Sequence, residues 1–397
     1  MKAVRLGDVI KIHHGWSFPG SGFGTDAELP QLITPGNFEP GGSFVRRVKS
    51  FSGEFPSAFI LEPGDLVVSM TDLSKEGATL GKPAIVPSDG IFLHNQRIGK
   101  VEILDESALD KNYLKALFLT GEFHRQILST ATGSTVRHTS PGRIYEFCHS
   151  LPELEAQRAI GEVLGALDDK IAANRKVCVS LRGLQGSIWS RASRSLPHIP
   201  LIELAPPRLG GTPARSSPEL WGGGTPWASV RDMTGADLGV ILSTAETITI
   251  KAAQPERLRP VPAGSVFLTA RGTVGEVAVA GVDCACNQSA YAFIPQAGKS
   301  AALRLALEGA VAGLISRAHG SVFSTITTST LADVEVPNFY DGSARRAVSE
   351  LEVLEERVVT GLKENVSLAR TRDELLPLLM SGKVGVKDAE RAAEDVL

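Results

Sequence analysis

Few residues of the chain have the types and spacing that chemistry requires. Residues 20–24 form a glycine-rich run that resembles a nucleotide-binding turn, but no strand pattern precedes it and no helix pattern follows, which favours a loop. Residues 77–83 lack the spacing and the magnesium-binding hydroxyl of a phosphate-binding loop. Cys284 and Cys286 have the wrong spacing for a zinc knuckle, and no second Cys or His pair follows. The sequence therefore predicts no catalytic residue and no metal site.

The composition indicates a folded protein of more than one domain. The chain has 397 residues, of which 43% are hydrophobic and 21% charged, and this length exceeds one ordinary core. No secretion signal or membrane-length apolar run is visible, and four cysteines fit a reducing compartment, so we expect a cytoplasmic protein without a membrane partner. The net charge of -3 argues against a protein that binds nucleic acid by bulk charge alone.

The chain repeats its own landmarks in the same order. A glycine turn leads into an apolar strand, a second glycine turn and strand follow, and an Asn-Gln pair comes next. Five coincident landmarks predict that one module occurs twice. The matching pairs are residues 61–69 and 261–269, 80–86 and 274–279, 95–96 and 287–288, 133–136 and 320–323, and Pro152 and Pro337.

After each of the two prolines the apolar pattern changes from strand to helix spacing. Residues 155–192 as one helix would span about 57 Å, which is longer than a typical globular helix. We favour a seam between two helices, although packing of each helix on its own domain stays open, and Asn174 could fix the register of that seam. Val177 and Leu184 fill neighbouring positions of the same stripe. The predicted seam residues are Ile160, Leu164, Leu167, Ile171, Asn174, Leu181, Leu351, Leu354, Val358, Leu368 and Leu375.

These patterns predict an α+β fold with an internal pseudo-two-fold repeat. Two similar globular domains of mixed β-sheet with helices would be separated by two long antiparallel helices that form a coiled-coil spacer. We expect the last residues, which are charged and rich in alanine, to form a frayed tail. The predicted boundaries are 1–152 for the first domain, 153–195 for the central helix, 196–340 for the second domain, 341–383 for the distal helix and 384–397 for the tail.

Several segments form recognisable motifs. Residues 151–171, which include Glu155-Ala156-Gln157-Arg158, and residues 373–384 are helical motifs, and residues 210–213, 221–227 and 286–288 are loop motifs. Together they resemble the specificity (S) subunit of Type I restriction–modification systems. The first helical motif is similar to the central region of that family and the second to the end of its second helix, and the loop motifs occur in family order. The second helix departs from the pattern, because residues 343–348 lack the Glu-x-Gln-Arg form.

The resemblance implies a non-catalytic subunit that contains two target recognition domains. Each domain would read one half of a bipartite, asymmetric site in double-stranded DNA, and the helices would dock two modification (methyltransferase) subunits. Restriction/translocase subunits would complete the complex. S-adenosylmethionine, ATP and magnesium would bind to those partner subunits, and this chain would hold no cofactor.

Base reading requires side chains that reach the major groove with bidentate hydrogen-bonding geometry. Several alternatives stay open: an Arg on a glycine turn can be a solvated charge, Gln96 and Gln288 can satisfy buried backbone groups, and Trp221 and Trp227 suit core positions. The predicted DNA-binding residues are Arg46, Arg47, Thr71, Lys75, Gln96, Arg97, Ser134, Thr135, Arg137, His138, Arg215, Arg231, Arg271, Thr273, Gln288, Ser321, Ser324 and Thr325.

Two other functions remain compatible with the residues. The first is a scaffold protein whose long helices organise protein partners, which the pI of about 6.3 favours. The second is a recognition subunit of a related system that has different catalytic partners. Salt-sensitive binding to duplex DNA would separate the first of these from a DNA reader.

Overall fold

A computed structural model describes residues 2–74, 76–296, 298–318, 325–394 and 396 of the chain. The chain forms two compact units. The first unit contains Met1–Ile171 and Val366–Leu397, and the second contains Ala172–Asn365. Among the described residues, no helix combines the length and the apolar character that crossing a bilayer requires.

The first unit is built from short strands and three short helices, followed by the start of a long helix. The strands are β1 (Lys2–Arg5), β2 (Ile10–His14), β3 (Phe23–Gly24), β4 (Gln31–Ile33), β5 (Ser50–Phe51), β6 (Ile60–Leu61), β7 (Leu66–Ser69), β8 (Thr71–Asp72), β9 (Pro83–Ile85), β10 (Phe92–His94), β11 (Ile98–Ile103), β12 (Arg137–His138) and β13 (Cys148–Leu151). The helices are α1 (Lys111–Leu119), α2 (Gly121–Thr130), α3 (Pro141–Tyr145) and the long α4 (Leu154–Ala192).

The second unit repeats this plan. Its strands are β14 (His198–Pro200), β15 (Pro207–Leu209), β16 (Trp221–Ala228), β17 (Val240–Ile241), β18 (Glu246–Ile248), β19 (Val266–Thr269), β20 (Val277–Ala280), β21 (Ala285–Cys286), β22 (Ala290–Phe293) and β23 (Glu335–Pro337). Its helices are α5 (Leu201–Leu204), α6 (Val230–Thr234), α7 (Ser300–Arg317) and α8 (Thr328–Ala332). The long α9 (Arg345–Met380) begins in the second unit and ends in the first, to which α10 (Val386–Glu394) also belongs.

The sheets show the duplication strand by strand. The order β2-β11-β7-β9 in the first unit matches β15-β22-β19-β20 in the second, and the pair β1-β13 matches β14-β23. Every residue of β7 and of β19 is buried, as the continuous apolar runs of these two strands indicate. Gly64 and Gly264 have φ angles of +86° and +87°, which favour glycine at both turns. The α+β fold with an internal repeat is therefore confirmed.

In each unit, apolar side chains of α4 and α9 are buried together in a shared cluster. In the first unit, Leu164 and Leu167 of α4 share a buried core with Leu368 and Leu375 of α9. Ile160 belongs to the same core, and Ile171 packs against it.

In the second unit, the contact of Cys178 with Val358 and that of Gln185 with Leu351 show that α4 and α9 run antiparallel. Asn174, Leu181 and Leu354 are half-buried there.

The apolar stripe is wrong at two positions of α4. Val177 and Leu184 are 50% and 48% exposed, while their neighbours Cys178 and Gln185 are 1% and 0% exposed. An apolar pattern selects valine and leucine over cysteine and glutamine. Gln185 is nevertheless buried because its amide bonds to the Leu351 carbonyl and to other buried polar groups.

The expectation of a frayed tail is also wrong. Residues 386–394 form helix α10, and Ala389 and Ala393 are 0% and 3% exposed in the core of the first unit. Because these alanines are four residues apart, they lie on one face of the helix. The many charges of the segment occupy its other faces and conceal this small apolar stripe. The five domain boundaries inferred from the sequence stay a prediction.

Lys82 is a buried cation in the first unit, and its replacement by methionine is expected to stabilise the chain. Burial lowers the pKa of Lys82 from 10.5 to about 8, although Asp373 acts in the opposite direction. Within the described parts of the chain, its Nζ donates one long hydrogen bond of 3.4 Å, to the Leu119 carbonyl. Below pH 8 the folded state must keep a buried ammonium charged, so Lys82→Met should raise the free energy of unfolding at pH 7 by about 1–3 kcal/mol.

The pH dependence provides the control for this prediction. Between pH 8 and 10.5 the folded Lys82 has lost its proton while the unfolded side chain keeps it, so this group makes wild-type stability rise with pH. The advantage of Lys82→Met should therefore shrink towards pH 10 in urea titrations. An advantage that stays constant with pH would contradict the prediction.

Candidate nucleic-acid interface

In the first unit, three segments with predicted DNA-binding residues converge on Met70, directly after strand β7. The Met70 amide donates to the Arg97 carbonyl at 3.0 Å, and the Met70 carbonyl accepts from the Thr139 amide at 3.0 Å. The Asn95 side chain accepts from the Arg97 amide at 3.1 Å and so forms a tight turn. The loop after β7, the turn at residues 95–97 and the segment that ends at Thr139 therefore share one site.

The second unit builds the same site from different side chains. The Ala270 amide, directly after β19, donates to the Ser289 carbonyl at 2.7 Å, and the Ala270 carbonyl accepts from the Ile326 amide at 3.1 Å. The Asn287 side chain accepts from the Ser289 amide at 3.1 Å. Each of these three bonds has its counterpart around Met70. The backbone frame is thus duplicated while the exposed side chains differ.

A glycine packs against each Asn turn at a distance that excludes any side chain. A Cβ atom at Gly15 would lie 2.3 Å from the Asn95 carbonyl oxygen, and a Cβ atom at Gly210 would lie 2.2 Å from the Asn287 carbonyl oxygen. Sequence reasoning missed that Gly15 and Gly210 occupy equivalent positions in the two units. Their matching positions ahead of the repeated strands were the signal that could have revealed it.

Strands β8 and β12 hold the first-unit loops together. Thr71 pairs with His138 in register, and its hydroxyl lies 3.1 Å from the His138 Nδ1. Thr71 itself is only 3% exposed, while His138 is exposed, so Thr71 orients the histidine. Arg137 is half-buried beside it.

Asp72 organises the loop that follows β8, and sequence reasoning gave it no role of its own. Its carboxylate accepts from the amides of Ser74 and Thr79, each at 2.6 Å, and from the Thr79 hydroxyl at 2.7 Å. Burial raises the pKa of this carboxyl, but the hydrogen bonds from Thr79 and Ser74 outweigh burial and hold the pKa below its usual value. The charged form of Asp72 therefore closes the loop.

A group of predicted residues presents exposed side chains in the two units. Arg97 and Arg271 are exposed, and neither guanidinium has an ion pair or hydrogen bond within the described part of the chain. Arg47 and Arg231 are likewise exposed, and their guanidinium groups also have no such partner among the described residues. Thr325 is half-buried. The other exposed predicted residues are Gln96, Ser134, Thr135, Thr273 and Gln288.

Lys75, Ser321 and Ser324 lie outside the described residues. DNA contact stays a prediction for every one of the eighteen predicted DNA-binding residues.

Two predicted arginines are already paired with carboxylates. Arg46 binds Asp89 at 2.5 Å, with its guanidinium carbon 5.6 Å from the centre of the Phe92 ring.

Arg215 binds both oxygens of Glu246, at 2.5 and 2.9 Å, and its guanidinium carbon lies 3.9 Å from the centre of the Trp221 ring. Gln288 accepts a hydrogen bond from the Thr212 hydroxyl. Trp227 is buried, as expected for a core position, and its indole donates to the Gly211 carbonyl at 2.9 Å.

No cluster of three or more His, Cys, Asp or Glu that could hold a metal ion occurs among the described residues. Burial raises the pKa of the Cys284 and Cys286 thiols to about 12, which disfavours the thiolates that metals bind.

The two parts of the chain that contain these sites match one family model. The model describes the Type I restriction modification DNA specificity domain, and it matches residues 1–179 and 200–338. The chain belongs to this family. Its two matched regions contain the Met70 and Ala270 sites, one in each region.

Curated relatives in the specificity-domain family match parts of the chain. The specificity subunit of the Type I restriction enzyme MjaIX of Methanocaldococcus jannaschii is 28% identical over 169 residues, or 42% of this chain. That of the HindI enzyme of Haemophilus influenzae is 25% identical over 179 residues, or 44% of this chain. Each match spans 39% of the relative's own length.

A solved Type I restriction-modification S subunit shares the fold. The crystal structure of a Type I restriction-modification S subunit from M. genitalium aligns with 95% of this chain and 95% of its own. The TM-score is 0.57 and the identity 14%. This likeness covers both units of the chain.

Proposed function

We propose that this chain is the non-catalytic DNA-recognition subunit of a Type I restriction–modification complex. Each recognition domain reads one half of a bipartite, asymmetric target in double-stranded DNA. The observation that carries the proposal is the duplicated frame around Met70 and Ala270, which presents different side chains within two regions of a DNA specificity domain. Two copies of one frame with different exposed residues suit the reading of two different half-sites.

The partners follow from this role. The long helices dock two modification subunits, which methylate adenine with S-adenosylmethionine, and restriction/translocase subunits use ATP and magnesium. This chain supplies positioning and base contacts. Its net charge of -3 supports DNA contacts through local groups such as Arg97 and Arg271, because the chain as a whole does not attract a polyanion.

Replacement of Arg271 by alanine is expected to relax one half-site only. Arg271 follows β19 on an exposed glycine turn, and a bidentate contact with guanine would contribute about 1–3 kcal/mol of discrimination. Methylation by the assembled complex should then tolerate other bases at one position of the second domain's half-site. Arg391→Ala is the matched control, because Arg391 is 80% exposed and pairs with Asp388 on the short helix α10.

Measurements of DNA binding distinguish a base contact of Arg271 from a phosphate contact, and a DNA-recognition subunit from a scaffold protein. If Arg271 contacts phosphate, Arg271→Ala should weaken binding to all sequences alike and reduce the slope of log affinity against log salt by about one. The scaffold function would be favoured by the absence of salt-sensitive binding to duplex DNA in the presence of the modification subunits.

A further inference from the structure

Each unit contains a largely buried carboxylate that lies next to two cationic side chains from two other helices. In the first unit, Asp168 of α4 binds the Lys115 Nζ of α1 at 2.5 Å. The other oxygen of Asp168 binds Nη1 of Arg372, on α9, at 2.8 Å. Lys115, Asp168 and Arg372 form what we name the first clamp. It connects a helix of the domain to both long helices.

The second unit has the equivalent arrangement, the second clamp. Glu355 of α9 binds Arg182 of α4 and lies 3.6 Å from the Nε of Arg304, on α7. The buried Gln185 donates to Glu355 at 2.9 Å and accepts from Arg304 at 2.8 Å. The carboxylate again lies on the long helix that follows its domain in the chain, here Glu355 on α9. One of the two cationic residues, Arg182, lies on the other long helix, α4.

In each clamp, one cationic residue lies on a helix of the globular domain. The positions of these two residues show that the clamps are related by the duplication. Lys115 is the fifth residue of α1, and Arg304 is the fifth residue of α7. These helices follow β11 and β22, which occupy the same place in the matching sheets. The side-chain types differ between the clamps, Lys-Asp-Arg against Arg-Glu-Arg, but each clamp has one carboxylate and two cationic side chains on three helices. The cationic groups of the first clamp bind separate oxygens of Asp168, whereas those of the second both lie nearest the same oxygen of Glu355.

The clamps are buried enough for their geometry to matter. The side chains of the first clamp are 7–17% exposed and those of the second 5–13%. Burial works against the charge of Glu355, but Arg182 and Arg304 outweigh burial and hold the pKa of that carboxyl below its usual value. Well-packed apolar residues often stabilise a core as much as a buried ion pair does, so stability alone gives such a cluster little purpose.

We propose that the two clamps fix how each recognition domain is oriented on the pair of long helices, and thereby set which spacing of half-sites the subunit accepts. This inference rests on the proposed function. Helices that pack through apolar side chains alone can shift and repack. A carboxylate held by two cationic side chains from two other helices has one favourable position. Lys115, Asp168, Arg372, Arg182, Glu355 and Arg304 are therefore positioning residues.

An apolar replacement of the first clamp separates orientation from stability. The variant Lys115→Met/Asp168→Leu/Arg372→Met and the wild type are assembled with modification subunits, once methylation mapping has identified the target. Methylation rates are measured on duplexes whose gap between half-sites is changed by one base pair in either direction. We expect about tenfold discrimination in the wild type and threefold or less in the variant, at a similar thermal midpoint. Lys115→Arg/Asp168→Glu, which copies the second clamp, should keep the wild-type preference.

Two results would overturn the inference. One is an apolar variant that folds and keeps the wild-type gap preference. The other comes from an experiment that needs no DNA and remains informative if the triple variant does not fold. Amide hydrogen exchange in α1 should accelerate about tenfold in Asp168→Asn but not in the control variant Glu122→Gln. Equal exchange rates in the two variants would refute the clamp. A wild-type complex that shows no DNA selectivity would instead refute the proposed function, while the exchange result still reports on the clamp.

Discussion

Replacement of Glu355 by alanine is expected to lower the free energy of unfolding by about 3–5 kcal/mol. Glu355 is the only carboxylate within hydrogen-bonding distance of Arg182 in the described part of the chain, and it also lies next to Arg304. The side chains of these two arginines are 13% and 6% exposed. Without the carboxylate of Glu355, Arg182 keeps its charge in a buried place, and Arg304 retains only its ion pair with the more exposed Glu308. Urea denaturation of the purified chain measures the loss.

The residue next to Glu355 provides the control. Glu356 is exposed, and its replacement by alanine should change stability by no more than about 0.5 kcal/mol. If Glu355→Ala proved as mild as Glu356→Ala, the second clamp would not hold the helices together as described.

Gly210→Ala is expected to destabilise the second unit by about 3 kcal/mol or more and to abolish reading of one half-site. The new Cβ atom would lie 2.2 Å from the Asn287 carbonyl oxygen and 2.4 Å from the Cys286 carbonyl oxygen. Both oxygens belong to the backbone, so the turn that carries Gln288 must move, and forced overpacking of this kind is costly. Thermal unfolding measures the first effect, and methylation of targets altered in one half-site measures the second.

Two other glycines make this prediction specific. A Cβ atom at Gly224 would meet no other atom within 4 Å, so Gly224→Ala should leave stability and target choice unchanged. Gly15→Ala, which would approach the Asn95 carbonyl oxygen at 2.3 Å, should instead affect the half-site of the first domain. An effect of Gly210→Ala on both half-sites alike would contradict independent reading by the two domains.

Much of the frame could be predicted because local residue types specify it. Glycine at the turns before β7 and β19 and the Asn-Gln pairs are short-range signals. The two long helices were also visible, since apolar residues recur at helical spacing along α4 and α9.

Long-range contacts concealed the rest. Gly15 meets a turn that is eighty residues away in the chain, so nothing in its neighbourhood marks it as indispensable. Gln185 and Glu355 are buried because the partners on other helices satisfy them, which an apolar pattern does not register. Thr71 was expected at a DNA-reading loop, but whether it packs under His138 or faces outward depends on the pairing of β8 with β12.

Mapping of adenine methylation in a genome that carries this subunit and its modification partners shows whether the two domains read different half-sites. We expect one modified motif with two different half-sites separated by a fixed run of unspecified bases. A continuous motif, or two identical half-sites in palindromic arrangement, would contradict this expectation.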